Sequence, residues 1–169
     1  GVPLHDEGRH FEYLMLETMQ AGLSWLTILK KREAFREVFA GFDPERVALF
    51  SESDIEELMK DARIIRNGRK LRGAVTNAKA FLRVRREYGS FDRFLWSFTG
   101  GEPVVNAFER EDDVPARTEL SDRVSAELKN RGFVFVGPVI VYAHLQAVGV
   151  INDHLTTCFR YREVIGQSR

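Results

Sequence analysis

Arg131-Gly132-Phe133-Val134-Phe135-Val136-Gly137-Pro138 is the stretch that decides how the chain reads. Before it, Leu120, Val124 and Leu128 recur at helical spacing, and Gly132 supplies a stop. Pro138 suits the first turn of a second helix, where the amide proton it lacks would have no intrahelical partner. The pattern is a helix–hairpin–helix over about residues 119–149. Glycine at both ends of the connector permits tight turns and close approach. Free N–H groups at the start of the second helix, together with its dipole, favour an anion. Gly132, Phe133, Gly137 and Pro138 would thus hold DNA phosphates without reading sequence. On pattern alone, an ordinary helical hairpin with an apolar loop fits equally well. The alternation in Phe133-Val134-Phe135-Val136 is too short to make a sheet.

Working outward, the rest of the chain is helical nearly throughout. Asp6 caps a helix carrying Phe11, Leu14, Met15 and Met19, with Gly22 as its end. Ser24 opens a second helix with Leu29, Phe35, Val38 and Phe39, stopped by Gly41. Asp43-Pro44 is a cap with a first-turn proline, and Ser53 with Glu56 reads as a capping box for a helix to about Ala62. A longer helix runs from about Asn67 to Tyr88, and another begins at Ser90 and closes at Gly100-Gly101. Residues 102–118 are the one long irregular stretch. After the hairpin, Asn152 is expected to cap a final turn or two through His154 and Cys158. No repeat or low-complexity tract interrupts this pattern. The expected fold is all-α, a single domain over 1–169.

Composition narrows the class. At 44% hydrophobic and 30% charged residues, the chain is a globular protein with a core. The apolar run around Val134 to Val141 is broken by Gly137-Pro138 and is far too short to span a bilayer, so no membrane association is expected. A single cysteine fits a reducing compartment, and a cytoplasmic location is expected. Lys plus Arg and Asp plus Glu number 25 each, so net charge gives no support for nucleic-acid binding. The basic run Arg63, Arg66, Arg69, Lys70, Arg72, Lys79, Arg83, Arg85, Arg86 is spread around a helix and reads as a solvated face rather than a groove.

Two constellations could carry chemistry. Glu17 sits near the end of the first helix, followed by Gln20-Ala21-Gly22-Leu23-Ser24-Trp25. A carboxylate beside an aromatic surface suits a flat cationic base, by stacking and charge. On the residues alone, a solvated glutamate and a core tryptophan fit better. His154 and Cys158 stand four apart and could face one metal ion from a helix, but two ligands are not a zinc site. A buried thiol beside a capping histidine is the simpler account. There is no nucleophile elbow, phosphate loop, dinucleotide fingerprint or CxxC, which removes the usual hydrolase, kinase and dehydrogenase readings.

Taken in order, these segments resemble the type I DNA-3-methyladenine glycosylases, a branch of the helix–hairpin–helix glycosylases. The matching residues include Glu17 with Gln20 through Trp25, Phe42-Asp43-Pro44, Ile64-Ile65-Arg66, Lys70, Asn77-Ala78, Trp96-Ser97-Phe98, Arg131-Gly132-Phe133, Phe135-Val136-Gly137, Gln146-Ala147, and Asn152-Asp153-His154 through Cys158. The resemblance implies a two-lobed helical fold with a cleft for an extruded base. It implies that Glu17, the candidate catalytic residue, contacts that base, with Trp25 stacking on it and Gln20 beside it. It places Leu23 on a loop approaching the DNA gap and the hairpin on backbone phosphates. It implies hydrolytic, monofunctional release of 3-methyladenine from double-stranded alkylated DNA by a monomer. It further implies a structural zinc ion with His154 and Cys158 as two ligands. The chain opens at Gly1 rather than Met, and in the family a leading segment with a cysteine, a histidine and pocket aromatics would precede it. A helix–hairpin–helix DNA-binding module without catalysis, or a helical interaction protein without DNA contact, is the alternative.

Overall fold

The computed structural model describes residues 1–167. It is all-α, with ten α-helices among the described residues, namely α1 (Glu7–Gln20), α2 (Trp25–Lys30), α3 (Arg32–Val38), α4 (Pro44–Val47), α5 (Glu52–Leu58), α6 (Gly68–Tyr88), α7 (Phe91–Trp96), α8 (Glu119–Asn130), α9 (Pro138–Ala147) and α10 (Phe159–Gln167). None is long and apolar enough to cross a membrane.

Local chemistry sets most of these boundaries. The Asp6 side chain accepts from the Arg9 amide and starts α1, and Asn67 does the same for α6 through Lys70. The helix after Ser24 is broken into α2 and α3 at Lys31, because the Lys31 amide already closes a tight turn on Ile28. The capping box falls two residues earlier than the sequence suggested. Ser51 and Asp54 bond each other's amides, and Ser53 lies inside α5. Starting at Ser51 puts Phe50 and Ile55 at the two positions of a hydrophobic staple, whereas a Ser53 start would put Glu52 and Glu57 there.

Helix α1 is the hub. Its buried Phe11, Leu14, Met15, Leu16 and Met19 belong to one continuous apolar core, and the helix packs on α6 and α7 on one side and on α9 on another. Phe11 meets Phe81 of α6 edge-on, and Phe81 stacks on Phe91 of α7. Helices α8 and α9 pair through the hairpin.

A short parallel pairing, β1 (Val104–Val105) with β2 (Ile151–Asn152), was not visible in the sequence. It ties the irregular stretch 102–118 to the segment after α9. Asn152 lies in β2, and its Oδ1 accepts from the His154 amide in a local turn, but the expected helix through His154 and Cys158 does not form; α10 begins at Phe159. Residues 1–4 cross the end of α9, with the Leu4 amide donating to the Val148 carbonyl and the Trp96 indole donating to that of Leu4. Gly149 makes the crossing possible. Its φ is +74°, and a Cβ there would lie 2.4 Å from backbone atoms of Val2 and Pro3.

Candidate functional site

Glu17 lies one turn before the end of α1 and is buried at 2% exposure. Its Oε1 has no hydrogen-bond partner among the described residues, and burial pushes its pKa up to about 7. An orphaned buried carboxylate oxygen is costly, so its presence points to a group that is meant to arrive. The carboxyl lines a cleft of about 410 Å³ together with Trp25, Gln146, Asp153 and His154. Trp25, the first residue of α2, is 38% exposed there, leaving ring surface open for stacking.

The turn between α1 and α2 fixes this pair. Gly22 takes φ +79°, the Leu23 amide donates to the Gln20 carbonyl at 2.7 Å, and the Gln20 amide side chain donates to the Leu23 carbonyl at 2.6 Å. The Ser24 hydroxyl caps α2. Gln20, expected at the base, therefore spends its amide on the turn, and it is not among the cleft's lining residues. Leu23 is 37% exposed on the same turn.

A second carboxylate, Asp153, lines the same cleft. Asp153 accepts from Asn106 Nδ2 at 2.7 Å, from Gln146 Nε2 at 2.8 Å and from the Tyr142 hydroxyl. Burial, together with the Asp153 contact, pushes the Tyr142 hydroxyl pKa up. This cluster was missed in the sequence analysis, although Gln146 and Asp153 stand in the matched stretches. Gln146 is one helical face with Tyr142, a spacing of four, which was the available signal. Asn106 arrives only through the β1–β2 pairing.

The hairpin lies at the opposite end of α9 from Gln146. Gly132 takes φ +86°, and Phe133 and Val136 are buried beneath the connector. Ser125 donates to the Val136 carbonyl at 2.7 Å, and the Phe133 amide donates to that of Leu128. Gly137 is the N-cap of α9 and gives it no side-chain cap bond, so the Val139 and Ile140 amides keep the orphan character of a helix start. Much of the basic run is neutralised: Arg63 pairs with Asp61 and Glu37, Arg72 with Glu52, and Arg85 with Glu45. Lys70 is buried, not solvated.

His154 Nδ1 and Cys158 Sγ lie 3.8 Å apart, brought together by a loop rather than a helix. That separation suits two corners of a tetrahedral zinc site. Among the described residues no group of three or more His, Cys, Asp or Glu could hold a metal ion, so two donors converge here and not four.

A family model described as methyladenine glycosylase matches residues 1–161. The chain is 44% identical to the DNA-3-methyladenine glycosylase of Haemophilus influenzae, over 94% of this chain and 85% of that protein. It is 44% identical to DNA-3-methyladenine glycosylase 1 of Escherichia coli, over 95% and 86%. A crystal structure of a variant 3-methyladenine DNA glycosylase I in complex with 3-methyladenine superposes with a TM-score of 0.92 at 42% identity, over 94% of this chain and 86% of that one.

Proposed function

The chain belongs to the methyladenine glycosylase family, as a DNA-3-methyladenine glycosylase of type I acting on N-glycosyl bonds, and from that premise we propose how its own residues do the work. The damaged nucleotide is extruded from double-stranded DNA and its base enters the cleft, stacking on Trp25. Glu17 accepts a hydrogen bond from the base edge and balances its charge. The observation that carries this reading is the orphaned, buried Glu17 oxygen in the same cleft as exposed indole.

Methylation at N3 makes the base a cation that departs neutral, so the leaving group needs no acid. The protein has only to hold the flipped nucleotide while water attacks an oxocarbenium-like sugar. Asp153, its oxygens held in place by three donors, lines the same cleft. The reaction is monofunctional on this reading. Lys70, the buried lysine, is committed to two backbone carbonyls and offers no amine for a covalent intermediate. Gln20 and Leu23 border the emptied duplex, and the hairpin residues Gly132, Phe133, Gly137 and Pro138 set the turn that brings the free Val139 and Ile140 amides to the phosphates. The enzyme acts as a monomer in the cytoplasm. A structural zinc ion would take His154 and Cys158 as two of its ligands and would brace the loop beside the cleft, outside the chemistry.

The test is release of 3-methyladenine from alkylated DNA by Glu17→Gln and Glu17→Ala. Both are expected to lose activity. Near-wild-type rates in both would remove Glu17 from the site.

A further inference from the structure

One face of α6 touches both elements assigned to the DNA, and nothing in the mechanism above uses it. Lys70, Gly73 and Asn77 stand at spacings of three and four, which places them on one stripe of the helix. All three are buried. Lys70 Nζ donates at 2.7 Å to the Met19 carbonyl and at 2.7 Å to the Ala21 carbonyl, at the end of α1 where the turn toward Trp25 begins. Asn77 clamps the hairpin from both sides of one residue. Its Nδ2 donates to the Val134 carbonyl at 3.0 Å, and its Oδ1 accepts from the Val134 amide at 2.8 Å. Between them, Gly73 is the seat of the hairpin tip. A Cβ at Gly73 would lie 2.8 Å from Phe135 Cε2 and 3.2 Å from Val134 Cγ2. Phe135 itself takes φ +58°, a strained conformation for an aromatic residue, and the side chain laid on Gly73 helps to hold it there.

Burying a lysine and an asparagine is worthwhile only where every polar atom has a job. Here each job is to grip backbone, at the end of α1 and its following turn in one case and in the hairpin connector in the other. The two grips stand seven positions apart on the helix, about 10 Å along the axis. That distance is fixed by a continuous hydrogen-bonded helix. It is comparable with the rise of about three nucleotides of one strand.

We propose that Lys70, Gly73 and Asn77 are positioning residues that register the Gln20–Leu23 turn against the hairpin, so that the element at the DNA gap and the element on the phosphates engage one duplex at once. The proposal rests on the glycosylase reading. A free base needs only the cleft, whereas a duplex needs both elements at the right separation. Loss of the register should therefore leave base binding intact and weaken duplex binding.

Gly73→Ala lifts the hairpin tip, and Asn77→Asp keeps the acceptor for the Val134 amide while placing an anion against the Val134 carbonyl. Each variant is measured for binding of free 3-methyladenine by tryptophan fluorescence, for affinity to a duplex holding an abasic-site analogue, and for base release from alkylated DNA. The expected result is free-base affinity within twofold of wild type, duplex affinity down at least tenfold, and base release restored at saturating enzyme. Lys70→Met is expected to weaken duplex binding likewise, with Lys70→Arg recovering part of it. Wild-type duplex affinity in Gly73→Ala and Asn77→Asp overturns the proposal. So does an equal fall in free-base and duplex affinity, which would make these residues supports of the whole fold. If wild-type protein releases no 3-methyladenine, the glycosylase reading fails instead, and the duplex measurement at matched melting temperature still decides the register.

Discussion

Replacing Glu17 by glutamine should change stability in a pH-dependent way whose size follows from its surroundings. Unfolded, the carboxyl ionises near its ordinary 4.5; folded, burial raises it to about 7. At about 1.4 kcal/mol per pH unit, that difference of about 2.5 makes the ionised folded form less stable by about 3 kcal/mol. The sign is that of any raised pKa. The protonated group has no penalty below pH 4.5, stability is lost progressively as pH rises from there to about 7, and above 7 the full loss is in place. Glutamine fills the same volume and never ionises. The variant should therefore melt with wild type at pH 4 and well above it at pH 8. For a domain of this size the gap is roughly 6–12 °C. Thermal denaturation of both proteins from pH 4 to 8.5 reads it, and comparing the two cancels every other titrating group. A constant difference across that range would show that the carboxyl is solvated in the empty cleft, and the argument from its orphaned oxygen would collapse. The same substitution should abolish base release, a gain in stability at the expense of function.

Trp25→Ala should lower base release by roughly 5- to 150-fold, the effect of about 1–3 kcal/mol of stacking on one base, while shifting the melting temperature little, because the residue is 38% exposed; Trp25→Phe should recover part of the rate in single-turnover assays. Tyr142→Phe removes one of the three donors to the Asp153 carboxylate and should cost about 1–3 kcal/mol in urea denaturation, with base release lowered alongside. Gly149→Ala should destabilise by at least about 1–3 kcal/mol from the positive φ alone, and an unchanged urea midpoint would show that residues 1–4 do not cross there.

What the sequence makes legible is local. Asp6, Ser24 and Ser90 cap helices because their side chains bond amides three residues on, within one turn. Gly132 and Gly137-Pro138 bound the hairpin for reasons of φ and of a missing amide proton, and both are read from single residues. Glu17 and Trp25 share a cleft because only one turn separates them. The errors come where two local signals compete or where a distant partner intervenes. Ser51 and Ser53 both offer a cap with an acid three residues on, and the staple between Phe50 and Ile55 chooses. Asn152 is a good cap by type and does accept from the His154 amide, yet only a local turn follows it, in a segment held to residues 104–106 across the β pairing. Lys70 looks like its arginine neighbours in sequence. Its carbonyl partners are 49 and 51 residues away, so nothing near it in the chain distinguishes it. Asp153 is likewise anchored by Asn106 across 47 residues.

The walls of the cleft divide into one over-bonded carboxylate and one unbonded carboxylate, and that asymmetry bears on selectivity. Asp153 has its oxygens occupied by three donors. Glu17 has an oxygen free and sits at the edge of ionisation near neutral pH. A neutral purine would either leave Glu17 protonated, with no charge to attract it, or leave a buried anion uncompensated. A cationic purine at about 4 Å offers an attraction of about 4 kcal/mol at an effective dielectric of about 20, and drives Glu17 to ionise as it binds. Rejection of undamaged adenine then needs no steric block. It follows from leaving one carboxylate without a partner until a positive charge arrives, in a cleft whose other acid is already satisfied.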